Sequence, residues 1–337
     1  MVRGLLVGAL LLGAGIAMFV YSTDSQSPPP PRTSLFPPPP LEEQAEPGGF
    51  AADRVTPTEI DGKRFMSYLE AICALGPRMS GSPGIKKQQD LIAAHFEKLG
   101  LPVRKQTFSA KQTSRADAID MTNMIVSIFP EKKKRVILCS HYDTRPIADQ
   151  ETDPRKWREP FVSANDGGSG VAFLMELGHH LPKLNLDVGV DFVFFDGEEF
   201  IFETERDKYF LGSRYFAENW RKANDRPAYT AAILFDMIAG KSPKFPAEGH
   251  SYMQAPELNG HVWRIANELR CKVFANQVGS RVMDDHLQLL EVGIPAIDII
   301  DFDYRHWHKL SDRPENCSPE GPTQIAKVLS VWLQRMK

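Results

Sequence analysis

Cysteine is scarce in this chain. There are four in 337 residues, Cys73, Cys139, Cys271 and Cys317, too few and too scattered for a disulfide framework or a zinc cluster of the CxxC type. One or two disulfides remain allowed. An excess of charge of either sign is also missing: 40 Lys and Arg stand against 43 Asp and Glu, for a net charge of -3 and a pI near 6.3. No basic stripe with interleaved aromatics is present, so nucleic acid is not expected as a partner. The one dense basic run, Lys132 to Arg135, precedes a predicted strand and reads as a solvated loop. At 42% hydrophobic and 25% charged, the composition is that of a globular protein long enough for one large α/β domain.

The N-terminus carries the apolar run that bears on compartment. Gly4 to Tyr21 holds no charge and follows Met1-Val2-Arg3, close to the ~20 residues that cross a bilayer. No clear Ala-x-Ala cleavage site ends it, so residues 1–22 are read as a membrane anchor in preference to a signal peptide. Arg3 on the N-terminal flank places the rest of the chain outside the cytoplasm, in the periplasm if the source is bacterial, or secreted if the segment is cleaved. Residues 23–53, with Pro28 to Pro31 and Pro37 to Pro40, read as an extended tether. The folded domain is then expected over 54–337.

Within it, Phe65, Leu69, Ile72 and Leu75 recur at helical spacing before Gly76-Pro77, and a second amphipathic pattern runs through Leu91, Ile92, Phe96 and Leu99 to Gly100. Strands are expected at 124–129, 135–140, 188–195, 230–236 and 294–300, with helices at 170–181, 213–224, 256–270 and 319–337. Strands separated by helices imply a single α/β/α domain around a mixed, mostly parallel sheet, whose ligands bind beyond the carboxyl ends of the strands.

Polar residues collect at those ends. One strand runs into His141-Tyr142-Asp143, another into Asp236, a third towards His306-Trp307-His308, and the most apolar of them into Asp196-Gly197-Glu198-Glu199. On a turn past a strand end two adjacent glutamates can converge on one centre, one binding a cation and the other moving a proton. Asn165-Asp166-Gly167-Gly168-Ser169-Gly170 opens a helix, where Asp166 is either a cap or part of the same site. His179 and His180, adjacent on the helix after the glycines, do not share a face and read as surface residues, while His250, His261 and His306 have no spacing partners and read as structural. His286 stands ready to orient Asp284 or its loop, and Trp263 reads as core.

These segments, with Leu211-Gly212-Ser213-Arg214, Phe235-Asp236-Met237-Ile238, Asp284-Asp285-His286 and Trp307-His308, occur in the order seen in the zinc-dependent M28 peptidase-like superfamily, which the chain resembles from about Phe65 onward. The resemblance implies one of two chemistries. In the aminopeptidases two zinc ions are bound, here by His141 and Asp236 and by Glu199 and His308, with Asp166 bridging and Glu198 as general base. In the animal-type glutaminyl cyclases and their bacterial relatives one zinc is bound, here by Asp166, Glu199 and His308, with Glu198, Asp236 and Asp284 as catalytic residues and Trp307 lining the pocket.

Asp284 before Asp285-His286, Trp307 before His308, and the run from His141 to Pro146 resemble the cyclases, and this reading is preferred. Two positions depart from the mammalian pattern: Phe202-Glu203-Thr204 lacks the tryptophan that follows the glutamate pair, and Asp303 stands where those enzymes carry a phenylalanine. Cyclisation of an N-terminal glutamine requires the α-amine to attack its own side-chain amide while ammonia leaves. That reaction needs an oxyanion stabiliser and a general acid/base, the role expected of Glu198. Asp236 and Asp284 would form an acidic pair steadying the leaving amide. A catalytically inert binding ectodomain would lack a ligand or the base, and none is missing. The expected substrates are peptide or protein N-termini, and the chain is expected to act as a monomer.

Overall fold

A computed structural model describes residues 55–337; the expected anchor and proline-rich tether lie outside the described residues. Among the described residues no helix is long and apolar enough to cross a membrane. The elements in chain order are α1 (Gly62–Cys73), α2 (Pro83–Lys98), β1 (Val103–Ala110), β2 (Ile119–Ile128), β3 (Lys134–His141), α3 (Gly168–Leu177), β4 (Gly189–Phe195) and α4 (Leu211–Lys222). They continue through β5 (Ala228–Asp236), β6 (Phe245–Ala247), α5 (Gly249–Gln254), α6 (Pro256–Glu268), β7 (Phe274–Val278), α7 (His286–Glu291), β8 (Ala296–Ile300) and α8 (Glu320–Arg335).

The described residues form a six-stranded sheet in the order β1-β2-β4-β3-β5-β8, with β6 and β7 as a separate pair. β4, β3, β5 and β8 are mutually parallel, so their carboxyl ends share one edge, while β1 and β2 add to β4 in antiparallel sense. The sheet is therefore mixed and mostly parallel, as expected. β1 escapes the hydrophobic pattern because it is an edge strand: Val103–Ala110 is largely polar and buries only Phe108 fully.

Alternation along β4 shows why the strands are so apolar. Val190, Phe192 and Phe194 join the larger core with α1, α2 and α3, whereas Val193 and Phe195 join the smaller core with Phe216 of α4 and Leu289 of α7. Helices thus cover both faces. The one charge in the strand, Asp191, is fully satisfied: its carboxylate takes Nε and Nη2 of buried Arg135 at 2.9 and 2.6 Å, Ser127 Oγ at 2.6 Å and Tyr229 OH at 2.6 Å. Gly170 fixes how closely α3 approaches the sheet. A Cβ there would lie 2.2 Å from Ser140 Oγ and 2.5 Å from the Phe235 carbonyl oxygen, so no larger residue fits without moving backbone.

All four cysteines are buried free thiols, so the disulfides that the sequence allows are not formed. His179 and His180 are tied in rather than solvated: His179 Nε2 lies 2.7 Å from Tyr68 OH and His180 Nε2 lies 2.9 Å from Glu176 Oε1. Trp263 is fully buried in the core, as expected.

Glu176 on α3 also binds α1. It accepts from Arg64 Nε and Nη2, both at 2.6 Å, and from the Asp61 N–H at 3.0 Å. Burial alone would raise its pKa, but His180 and Arg64 outweigh it and hold the carboxyl at about 2, against 4.5 for a free glutamate. The folded value lies below the unfolded one, so the stabilisation is complete above about pH 4.5 and is lost as pH falls towards 2. Glu176→Gln is expected to cost on the order of 2 kcal/mol at pH 7, less than the ~3–5 of a fully buried pair because Arg64 is partly exposed. Urea unfolding at pH 7 and at pH 3 checks this; a gap that does not narrow at the lower pH contradicts the assignment.

Candidate functional site

Four segments leaving the carboxyl edge of the sheet, together with two loops, bring the acidic residues and histidines together. β3 ends on His141 and β5 on Asp236, while β4 runs into Gly197, whose φ of 72° turns the chain so that Glu198 and Glu199 follow. Asp143 holds that turn, its carboxylate oxygens accepting from the N–H groups of Glu198 (3.0 Å) and Glu199 (3.3 Å). Asp196 belongs elsewhere. Its carboxylate accepts from Ser80 Oγ (2.6 Å), the Thr122 N–H (2.8 Å) and Tyr142 OH (3.1 Å), so the three acids after β4 separate into one structural group and two at the site.

Asp166 is not a helix cap. Gly167, at φ 72°, occupies the cap position of α3, and no side chain caps that end. The turn is fixed instead by Asp312, which accepts from the N–H groups of Asn165 (2.9 Å) and Asp166 (3.1 Å), and by Asn165 Oδ1, which accepts from the Ala239 N–H (2.7 Å). Asp166 is left pointing at both histidines: Oδ1 is 3.1 Å from His141 Nε2 and Oδ2 is 3.4 Å from His308 Nε2.

Two donor sets meet at Asp166. Asp166, Glu199 and His308 offer ligand atoms within 4.8 Å of one another, and so do His141, Asp166 and Asp236. In the first set His308 Nε2 lies 3.0 Å from Glu199 Oε2; in the second His141 Nε2 lies 3.3 Å from Asp236 Oδ1. All five side chains are buried. Oxygen and imidazole donors of this kind suit zinc, and buried Asp166 Oδ2 has no hydrogen-bond donor of its own. A divalent cation fits these residues.

The electrostatics point the same way. Burial raises Glu198 well above the ordinary glutamate range, with the charges of Asp284 and Glu199 adding to it against the pull of His141. Burial and then Asp166 push Glu199 up to about 7, and burial with Asp236 and Asp285 raises Asp284 strongly. For His308 burial works downward, but Asp149 and Glu199 prevail and lift it to about 9. Crowded buried carboxylates of this sort are relieved by a positive charge among them.

The neighbouring residues define the surroundings. Asp285 accepts a hydrogen bond from Ser213 at 2.5 Å, which ties α4 to the acidic loop and accounts for the Gly212-Ser213 segment. His286 does not orient Asp284; its Nε2 lies 3.2 Å from Glu248 Oε2, both fully buried. Trp307 and Phe302 pack on Met237, Val282, Ile300 and Tyr304 in an apolar cluster, Met237 directly following Asp236 in the chain, while Met283, between Val282 and Asp284, is 66% exposed. Trp307 also lies against the His308 ring at 4.2 Å between centroids. Asp149, half-buried in the loop after β3, lies 2.9 Å from His308 Nδ1. Neither Asp149 nor Asp312 is marked by sequence spacing, since each meets its partner only through the fold.

The family model for peptidase family M28 matches residues 123–333. A glutaminyl-peptide cyclotransferase of Boiga irregularis is 25% identical over 288 residues, covering 76% of this chain and 76% of that protein. The crystal structure of Fimbriiglobus ruber glutaminyl cyclase aligns with a TM-score of 0.83 at 46% identity, covering 87% of this chain and 100% of that one. A Zn-dependent exopeptidase from Parabacteroides distasonis aligns at 0.75 with 29% identity, over 82% of this chain and 99% of its own.

Proposed function

The chain belongs to peptidase family M28, and from that premise we propose that it is a zinc-dependent glutaminyl-peptide cyclotransferase, converting N-terminal glutamine to pyroglutamate with release of ammonia. One zinc would be held by Asp166, Glu199 and His308. When bound there it supplies Lewis-acid stabilisation to the amide oxygen that gains charge during attack.

The observation that carries the one-metal reading is the unequal support of the two histidines. A metal-binding histidine almost always donates its second ring N–H to a carboxylate, carbonyl or water. His308 Nδ1 has Asp149 at 2.9 Å, whereas the carboxylate facing buried His141 Nδ1, on Asp143, stands farther off at 3.6 Å and already accepts from the N–H groups of Glu198 and Glu199. His141 is therefore assigned to holding Asp236 in place rather than to a second ion. The second donor set, His141 with Asp166 and Asp236, is what favours the alternative, a two-metal aminopeptidase.

The chain's own groups can perform the remaining chemistry. The α-amine must lose a proton as it attacks the side-chain amide carbon, and the departing nitrogen must gain one to leave as ammonia. Glu198, half-buried beside the donor set and with its proton affinity raised, is suited to accept the first and deliver the second. Asp284, strongly raised by burial and by Asp236, would remain protonated and donate a hydrogen bond to the leaving amide. The Trp307 patch would seat the aliphatic part of the glutamine. Because nucleophile and electrophile share one residue, the site need not bring two molecules together; beside the proton transfers it has to fold the substrate and exclude water.

Incubation with a Gln-initiated peptide should release ammonia and a pyroglutamyl product, with one zinc per chain by metal analysis. Release of free N-terminal amino acids by a protein carrying two zinc ions would replace this reading with the aminopeptidase. The N-terminal segment is proposed to hold the enzyme at a membrane, outside the cytoplasm.

A further inference from the structure

A single loop between β3 and α3 reaches two of the three proposed ligands. The Arg145 N–H donates to Glu199 Oε1 at 2.7 Å. The guanidinium of the same residue donates from Nε and Nη2 to Asp149 Oδ2, at 3.0 and 2.7 Å. The other oxygen of Asp149 lies 2.9 Å from His308 Nδ1. The next two residues grip the backbone around that histidine: the Gln150 N–H donates to the His308 carbonyl at 3.2 Å, and Glu151 Oε1 accepts from the Leu310 N–H at 2.9 Å.

His308 itself sits at φ 51°, a left-handed conformation that a non-glycine residue keeps only when its surroundings impose it. The turn that aims the imidazole is thus held from outside, and consecutive residues 149–151 do the holding.

We propose that Asp149 is a positioning residue of the metal centre: with Arg145 fixing its second oxygen, it holds His308 with the proton on Nδ1 and so presents the Nε2 lone pair towards Asp166 and Glu199. The inference rests on the assignment of His308 as a zinc ligand. An ionised carboxylate only accepts hydrogen bonds, so the ring nitrogen facing it must carry the hydrogen. In that tautomer Nε2 is the metal-binding atom, 3.0 Å from Glu199 Oε2 and 3.4 Å from Asp166 Oδ2. Through Arg145 the loop couples the two ligands, since the backbone of that residue holds Glu199 while its side chain holds the carboxylate that holds His308.

Asp149→Ala in the full chain is expected to weaken zinc binding about 10–100-fold, read by chelator competition. At saturating zinc, kcat should largely recover and KM for a Gln-peptide should stay within about 2-fold, since nothing that touches substrate is removed. The visible spectrum of the cobalt-substituted protein should change, because a reoriented imidazole alters the ligand field. Asp149→Asn can keep an oxygen towards His308 only by turning its NH₂ group to Arg145, which gives up both guanidinium hydrogen bonds to Oδ2 but spares the one to the ring, so its loss should be the smaller; it also provides the reading if the alanine variant does not fold. Combining Asp149→Ala with His308→Ala should add less than about 2-fold to the loss from His308→Ala alone, because the two act through one ligand.

Wild-type zinc affinity in Asp149→Ala, or fully additive losses in the double variant, overturns the proposal. Failure of the functional reading looks different: the wild-type protein itself would then form no pyroglutamyl product.

Discussion

Glu198→Gln should leave zinc bound and reduce kcat by about 10³-fold, within the range of about 10²–10⁴ supplied by a well-placed general acid/base. The substitution preserves size and hydrogen-bonding capacity but removes the ability to take up and return a proton. The backbone of the turn is unaffected, because Asp143 holds it through the N–H groups of residues 198 and 199. None of the three proposed ligand contacts passes through the Glu198 side chain, whose Oε2 lies 3.9 Å from His141 Nδ1. Zinc content by metal analysis and ammonia release from a Gln-peptide, measured on one preparation, provide the check. Equal zinc loss in the Glu198 and Glu199 variants would mean that the two residues do not divide the work.

Glu199→Gln is expected to do the opposite, releasing the metal and with it the activity. Glu199 Oε1 is occupied by the Arg145 N–H at 2.7 Å, so the oxygen facing His308 is the one free to bind a cation. A glutamine amide that keeps its oxygen on Arg145 turns its NH₂ group towards the donor set, replacing an anionic ligand with a donor. The loss of zinc affinity should exceed the about 10–100-fold expected when a supporting residue is removed. Added zinc should restore little. A variant that retains one zinc per chain after dialysis against a weak chelator rules the assignment out.

The layout of the fold follows closely from hydrophobic periodicity, because β3, β4, β5 and β8 are buried on both faces and their sequences are correspondingly apolar. The polar residues just past those strands could be read as a site for the same reason: a buried parallel strand has few other reasons to end in His, Asp or Glu. Legibility failed where burial is partial or the partner is remote. β1 alternates too weakly to be recognised, and β6 and β7 are only 3 and 5 residues long. Asp196 looks like a third member of the glutamate pair until the pleat sends it to Ser80 and Thr122. Asp149 and Asp312 are single acids in irregular segments, and their importance comes from the groups they meet across the fold, which no local pattern encodes.

The strand order β1-β2-β4-β3-β5-β8 has a kinetic consequence. β2 and β4 are neighbours in the sheet but have β3 and α3 between them in the chain, and β8 joins β5 only after β6, β7 and three helices have been made. Pairings of such long sequence separation pay loop-closure entropy before they gain contacts, so this topology favours slow folding. The proposed ligands inherit that order. Asp166 and Glu199 emerge early, while His308 lies beyond β8, so a chain that has not docked its last strand has no third donor. Metal capture by the proposed ligands would therefore be a late event, one that reports a completed sheet.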